Sequence, residues 1–207
     1  MTKKKLLIVA ATHKEIEPIT GKTNDNFFAL TSDTDVLITG VGVMPTTYYL
    51  TETLSTHTYS LVLNAGIAGS MTDKFGIGET VEIISDTLVT AGKFTKTKYK
   101  SMFEAGLWNE NEPPYLSGII INRKHFNNLP GAKAITTSII GFDKSPFSKY
   151  KPEVETMEGA AFFYACHKKR YDCAAVRSIS NFVKDNKWEI ETAVNNLCDY
   201  IANNFEL

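Results

Sequence analysis

The amino-acid sequence predicts an α/β fold, a three-layer α/β/α sandwich around a mixed, largely parallel central sheet. Short apolar runs rich in β-branched residues recur along the chain, and most are continuous rather than alternating. Continuous apolar strands are typical of a sheet that is covered on both faces. Helical patterns separate some of these runs, which favours parallel strands. A length of 207 residues suits a single domain, 1–207.

The elements follow in order along the chain. The predicted strands are 6–11, 36–39, 61–64, 80–84, 87–91, 118–121, 134–140 and 174–179, and the predicted helices are 44–53, 157–169 and 188–204. The two consecutive runs at 80–84 and 87–91 indicate that part of the sheet is antiparallel or bent. The segment 93–115 mixes aromatic and polar residues with two prolines, and its length leaves an active-site flap and a surface excursion equally open.

Composition excludes several classes of protein. The formal net charge is −1, so we expect no basic surface for a nucleic-acid backbone. A membrane span needs about 20 apolar residues, and the sequence has no such run, so we expect no membrane partner. The apolar stretch near the N-terminus is too short for a signal sequence, which favours a cytoplasmic protein.

Neither cysteine nor histidine spacing indicates a metal site or a cofactor. Three cysteines are too few and too irregularly spaced for a disulfide framework or a zinc site, and we expect buried, reduced thiols. They are Cys166, Cys173 and Cys198. The four histidines form no ligand pattern. His13 lies near the pocket predicted below.

Ligands of α/β proteins gather at the carboxyl ends of strands, so the residues after each strand are candidates. Thr12 and Glu15 follow the first strand. Their spacing fits a capping box at a helix start. The alternative is a carboxylate at the mouth of a pocket that serves as a general base. The pattern leaves both roles open.

Two small-residue turns follow later strands, at 39–44 and 64–70. Gly42, Ala65 and Gly66 lie in them, and glycines let a backbone approach a ligand closely. Neither turn is a complete dinucleotide or phosphate-loop motif. Tight packing explains each turn equally well, but together they indicate a shared pocket floor.

The last two motifs carry polar groups beside apolar elements. Met157 and Glu158 open an apolar helix, where Glu158 is either a partner of the helix dipole or a buried acceptor. Arg177 and Asn181 interrupt or follow an apolar strand, and buried polar groups need partners. For Arg177 we favour a structural ion pair over a phosphate ligand.

In this order, the motifs around Glu15, 39–42, 64–69, 157–161 and 177–181 resemble those of the purine nucleoside phosphorylase and nucleosidase superfamily, over nearly the whole chain. Within it the chain looks most similar to the futalosine hydrolases of menaquinone biosynthesis, with methylthioadenosine/S-adenosylhomocysteine nucleosidases as the alternative. Asn181 stands where the adenine-cleaving nucleosidases carry an aspartate, and the stretches 106–114 and 182–193 also resemble the futalosine branch.

The resemblance implies a role for each site residue. Glu15 activates the attacking water, Glu158 accepts both ribose hydroxyls, and Asn181 meets N7 and O6 of a 6-oxopurine such as hypoxanthine. The implied substrate-binding set is Glu158, Met157, Gly42, Ala65, Gly66 and Ile140. An amide is not a practical proton donor, so the source of the proton for the leaving base stays open.

The resemblance also implies a homo-oligomer, a dimer or larger, that binds a small purine nucleoside and needs no cofactor. Water is favoured over phosphate as nucleophile because neither glycine turn has a neighbouring arginine and Glu15 would repel a dianion. A phosphate-dependent phosphorylase and a non-catalytic nucleoside-binding protein remain as rival hypotheses.

Overall fold

The protein is described from a computed structural model, in which residues 4–95, 98–126, 128–140, 145–185 and 187–207 are described. The strands are β1 (Lys4–Ala10), β2 (Phe27–Ala29), β3 (Thr34–Ile38), β4 (Tyr59–Ser70), β5 (Thr80–Leu88), β6 (Gly92–Phe94), β7 (Tyr99–Ser101), β8 (Tyr115–Leu116), β9 (Ile119–Ile121), β10 (Gly131–Thr136), β11 (Val154–Thr156) and β12 (Cys173–Phe182). The helices are α1 (Glu17–Thr20), α2 (Val43–Thr56), α3 (Gly159–Lys169) and α4 (Ile190–Asn204), with short 3₁₀ turns at His13–Glu15 and Ser145–Tyr150.

The central sheet is mixed, as the sequence predicts. β1 pairs in parallel with β3 and β4, and β4 pairs in parallel with β12. β12 then runs antiparallel to β5, β5 is parallel to β10, and β10 is parallel to β11. Because β11 also pairs antiparallel with β4, the strands β4, β12, β5, β10 and β11 close into a ring. The sandwich therefore contains a small barrel that the strand pattern does not predict.

Helices cover both faces of the sheet. On β1, Leu7 and Val9 face a core that α2 and α3 complete with Leu50 and Phe162. The alternate residues of β1 pack against α4 in a second core. A strand buried on both faces has a continuous apolar sequence, which explains why β1 shows no alternation. The three-layer α/β/α prediction is confirmed.

Three strand predictions need correction. The run at 80–84 and the first two residues of the run at 87–91 form one strand, β5, which ends at Leu88, and the predicted strand 134–140 ends at Thr136. The run 64–70, expected to be a turn, is the second half of β4. Glycine and alanine have low strand propensity, which favours a turn by local pattern. The fold needs small residues there because other side chains press on the strand: a Cβ on Gly69 would lie 2.9 Å from Cγ2 of Val183.

The three cysteines are buried and unbridged, as predicted. In the described part of the chain, no helix is long and apolar enough to cross a membrane. Of the segment 93–115, residues 96 and 97 lie outside the described residues. The remainder forms the β6–β7 hairpin and an irregular stretch that leads into β8.

Candidate active site

A cavity of about 310 Å³ opens where several strands end. Its wall takes residues from the ends of β1, β4, β10, β11 and β12 and from the segment 188–194. This is the edge at which α/β sheets bind ligands, and the volume lies at the lower end of the usual range for a small-molecule site. Most of the wall is apolar, with Ile67, Ile140, Met157 and Trp188 among its members.

Glu15 lies in the cavity wall with both carboxylate oxygens held by donors. Oε2 accepts hydrogen bonds from the backbone N–H of Thr12 at 2.9 Å and from its hydroxyl at 3.2 Å. Oε1 accepts one from the backbone N–H of Ile67, at 3.2 Å. A carboxylate offers about four acceptor sites, so a further donor such as water can still be accommodated. The capping role and the pocket position, open alternatives in the sequence, are therefore compatible.

Glu158 lies in the same wall and precedes the first turn of α3. Its Oε1 accepts a hydrogen bond at 2.8 Å from the backbone N–H of Gly42, the residue that precedes α2. Gly42 has φ of 98°, a conformation that favours glycine. Burial raises the pKa of Glu158, while Arg177 and the Gly42 hydrogen bond oppose that rise. Glu158 thus joins the starts of two helices and faces the cavity.

Arg177 supplies buried positive charge beneath the site. Its side chain donates to the backbone carbonyls of Asn64 at 3.1 Å and Val176 at 2.9 Å, and to Oδ1 of Asn64. Asn64 in turn donates to the carbonyl of Val9 at 3.0 Å. The expected ion pair is therefore replaced by hydrogen bonds to Asn64. The charge still acts at longer range, because it lowers the pKa of Glu158 against the effect of burial.

A second buried network fixes the start of α3. The hydroxyl of Thr136 donates to Oδ1 of Asp86 at 2.9 Å and accepts the backbone N–H of Ala160 at 2.7 Å. Burial raises the pKa of Asp86 to about 7, with the Thr136 hydrogen bond opposing the rise. Gly159 is necessary in this network, since a Cβ there would collide with the Asp86 carboxylate. The network positions Glu158 because that residue directly precedes Gly159.

The structure divides the residues of the predicted site into two groups. Glu15, Met157, Glu158 and Ile140 line the cavity. Gly42, Ala65, Gly66 and Asn181 are not part of the wall. The backbone N–H of Gly42 donates a hydrogen bond to Glu158. Gly66 packs against Glu15, and a Cβ on Gly66 would be 2.7 Å from Oε1 of Glu15. On β4 the wall is formed by residues 67–69 because the strand continues past Asn64.

Asn181 is buried in β12, next to the wall residue Ser180. Its Oδ1 accepts a hydrogen bond from the Ser180 hydroxyl at 2.9 Å. The backbone of Asn181 pairs with Trp188, which brings the segment 188–194 across the end of β12 and over the cavity. Among the described residues, none from the segment 93–115 contributes to the wall.

Sequence reasoning missed Asp86, Thr136 and Thr156, which are fully or almost fully buried. A polar residue inside an apolar strand run is the available signal, and Asp86 between two predicted strands carries it. In the described part of the chain, no cluster of three or more His, Cys, Asp or Glu side chains is arranged to hold a metal ion.

Comparison with solved structures identifies the fold. A mutant of the methylthioadenosine/S-adenosylhomocysteine nucleosidase of Helicobacter pylori, with 5'-methylthioadenosine in its active site, superposes with a TM-score of 0.76 at 18% identity, covering 98% of each chain. A mutant futalosine hydrolase of the same organism gives 0.75 at 17% identity, over 96% of this chain and 97% of the other. The chain has the nucleosidase fold. The nucleosidase of Neisseria meningitidis, in complex with methylthio-immucillin-A, gives 0.71 at 15% identity, over 96% and 97%.

The sequence matches no protein-family model and no curated protein. At these identities the nucleosidase fold is shared by enzymes with two different substrates, and their TM-scores differ by only 0.01. The choice of substrate therefore depends on side chains rather than on the fold.

Proposed function

We propose that this protein is a purine nucleosidase that cleaves the N-glycosidic bond of its substrate with water. The observation that carries the proposal is that Glu15 and Glu158, which lie far apart in the sequence, face one cavity at the strand ends of a nucleosidase fold. Two carboxylates with different partners suit two different tasks in glycosidic cleavage.

Glu15 is proposed as the general base. Its three hydrogen-bond donors keep the carboxylate in one orientation, and one acceptor site is left for the attacking water. A positioned base contributes roughly 10²–10⁴-fold to rate.

Glu158 is proposed to bind the ribose hydroxyls. Hydrogen bonds from hydroxyls to a carboxylate are about twice as strong as neutral ones, and a buried carboxylate also stabilises positive charge that develops on the sugar. Oε1 of Glu158 accepts the Gly42 N–H, and the backbone of Met157 also lowers the pKa of Glu158. A carboxylate offers about four acceptor sites, so sites remain to receive sugar hydroxyls.

Water is favoured over phosphate as the nucleophile by the charges at the site. Phosphorolysis needs cations that hold a dianion, whereas the described wall presents three carboxylates, Glu15, Glu155 and Glu158, against one cation, Lys14. The guanidinium of Arg177 is engaged by Asn64 and Val176.

For the substrate we propose futalosine, with hypoxanthine as the released base. Asn181 carries this finer proposal. Its side chain lies behind the wall residues Ser180 and Gly69: the oxygen accepts the Ser180 hydroxyl, and a Cβ on Gly69 would lie 3.4 Å from the amide nitrogen. That nitrogen is the group left to donate to a base that binds against Gly69. Hypoxanthine offers two acceptors, N7 and O6, while adenine offers a donor at the 6-position. Methylthioadenosine and S-adenosylhomocysteine are the alternative substrates, because nucleosidases for them share the fold.

A substrate panel tests the proposal. Futalosine, methylthioadenosine, S-adenosylhomocysteine and inosine are incubated with the protein, with and without phosphate, and the released base is identified. We expect hypoxanthine from futalosine without phosphate, a rate lowered about 10²–10⁴-fold in Glu15→Gln, and an unchanged rate in the control Glu17→Gln. Adenine release alone would assign the alternative substrates, and phosphate-dependent cleavage of inosine would assign a phosphorylase.

A further inference from the structure

A basic cleft lies away from the candidate active site. Its two adjoining cavities, of about 520 and 260 Å³, share Arg123, His167 and Arg170. His167 and Arg170 lie at the C-terminal end of α3, whereas Glu158 lies at the N-terminal end. The 11 residues of α3 span roughly 16 Å at 1.5 Å per residue, so the two sites are separate.

The cleft concentrates arginine in a chain that has little of it. The sequence contains three arginines, and two of them, Arg123 and Arg170, line this cleft. Neither has an ion-pair partner within 4 Å among the described residues. Basic residues at a helix C-terminus interact favourably with the helix dipole, which accounts for Lys168 and Lys169. That effect does not account for Arg123, which follows β9 on a different element.

The charge of the cleft matches a dianion. Four basic side chains line the two cavities: Arg123, Lys124, Lys168 and Arg170. Against them stand Asp172 in the smaller cavity and Glu112, whose Oε1 is 3.8 Å from Nζ of Lys168. Two positive charges remain in excess, although the whole chain has a formal net charge of −1.

His167 adds a polar atom without a partner. Its Nε2 is buried and has no hydrogen-bond partner among the residues that the structure describes, while His167 lines both cavities. Burial, together with the nearby Arg123 charge, lowers the pKa of His167. A neutral imidazole has one donor and one acceptor nitrogen and adds no further charge.

The rest of the lining of the larger cavity is apolar. It consists of Pro113, Pro114, Leu116 and Ile121. An arginine pair recognises phosphate oxygens through bidentate hydrogen bonds. We propose that this cleft is a second binding site, for a phosphate monoester with an apolar body, in which Arg123 and Arg170 bind the phosphate and the proline-lined wall contacts the body.

Calorimetric titration with phenyl phosphate tests the site, in phosphate-free buffer with a saturating purine base in the candidate active site. We expect one phenyl phosphate per chain, and weaker binding of inorganic phosphate. Arg123→Gln and Arg170→Gly should each weaken binding about tenfold or more, because each removes a charged donor pair. Glycine suits position 170, where φ is 62°.

Lys169→Gln is the matched control. It removes a positive charge from the same helix end, but Lys169 does not line the cleft, and its Nζ donates to the Ser55 hydroxyl at 2.7 Å. The Lys169→Gln variant should bind phenyl phosphate with the same affinity as the unmodified protein. The proposal is overturned if the unmodified protein shows no saturable binding up to about 10 mM, or if the purine base displaces the ligand. It is also overturned if both arginine variants bind as well as the control, or if inorganic phosphate binds as tightly as phenyl phosphate.

Discussion

Gly66 leaves the space that the carboxylate of Glu15 occupies. A Cβ on Gly66 would lie 2.7 Å from Oε1 of Glu15 and 3.6 Å from Cζ of Arg177. The absence of a side chain at Gly66 therefore lets the carboxylate of the proposed base pack against β4, although Gly66 is not part of the cavity wall. Its role is to permit a close approach of side chains to β4.

Gly66→Ala should impair catalysis more than folding. The atom that must move is the end of a flexible side chain, so the backbone can stay in place while Glu15 turns away from its donors. A displacement of about 1 Å at a reacting group costs about 10²-fold in rate. We expect a loss of that size in kcat, measured as base release, with little change in melting temperature.

Gly76→Ala is the control for this substitution, since a Cβ there meets nothing within 4 Å. It should leave kcat unchanged. Full activity in Gly66→Ala would show that the position of Glu15 does not matter for turnover.

Ionisation of Glu158 should contribute to the fall in kcat/KM at acidic pH, the acidic limb of the pH–activity profile. Burial raises its pKa above the ordinary value of 4.5. The ionised form is needed to accept sugar hydroxyls, so kcat/KM should fall as the pH falls through this raised pKa, earlier than for an ordinary glutamate. In Glu158→Gln the contribution of Glu158 to the limb should disappear, leaving only the limb that ionisation of the proposed base produces, and KM should rise about tenfold to hundredfold, as expected for loss of hydrogen bonds to a charged group.

Glu17→Gln should retain the profile of the unmodified protein. An acidic limb at the same pH in Glu158→Gln as in the unmodified protein, with an unchanged KM, would remove Glu158 from sugar binding.

Asp86 should make the protein less stable as the pH rises. Its pKa is about 7 in the folded state against 3.8 when unperturbed. Between these values the folded state binds more protons than the unfolded state, so the stabilising contribution is complete below pH 3.8 and is lost as the pH rises through 7. The total effect is on the order of 1–4 kcal/mol.

Asp86→Asn should flatten this dependence, because the amide does not ionise and its oxygen can still accept the Thr136 hydroxyl. Melting temperatures are measured at pH 5 and pH 8, which lie below and above the raised pKa of Asp86. Equal pH dependence in the variant and the unmodified protein would contradict a protonated Asp86.

Asn181→Asp should shift the preference for the base. A carboxylate accepts the 6-amino group of adenine and repels O6 of hypoxanthine. We expect the ratio of kcat/KM for methylthioadenosine to that for futalosine to rise about tenfold or more, as for exchange of a single hydrogen-bond match. Asn128→Asp, on an exposed loop, is the control. An unchanged ratio in Asn181→Asp would separate Asn181 from base recognition.

Local patterns predict the fold well because residues 6–10 of β1, residues 36–38 of β3 and residues 173–176 of β12 are buried and have continuous apolar sequences. They do not predict the five-stranded ring, since the pairing of β11 with β4 is non-local. Local patterns also predict a turn at 64–70, whereas these small residues belong to β4, on which neighbouring side chains pack closely.

Local sequence patterns also predict part of the candidate active site. Glu15 and Glu158 are polar residues at the ends of predicted elements, which local sequence reveals. Asp86 and Asn64 act through partners that are distant in sequence, so single-chain patterns give little sign of their roles. The cavity segment 188–194 is held at the site by long-range contacts, such as the pairing of Trp188 with Asn181 and the hydrogen bond from the backbone N–H of Glu189 to the carbonyl of Ser180.

The central claim is cleavage of a nucleoside by water, and the fate of the oxygen atom tests it most directly. Futalosine is incubated with the protein in ¹⁸O-enriched water containing phosphate, and the sugar product is analysed by mass spectrometry. We predict one ¹⁸O atom at the anomeric carbon, release of hypoxanthine and no sugar phosphate, with about 10²–10⁴-fold less labelled product from Glu15→Gln at equal reaction times. A sugar 1-phosphate without label, or an intact nucleoside after prolonged incubation, would contradict the claim.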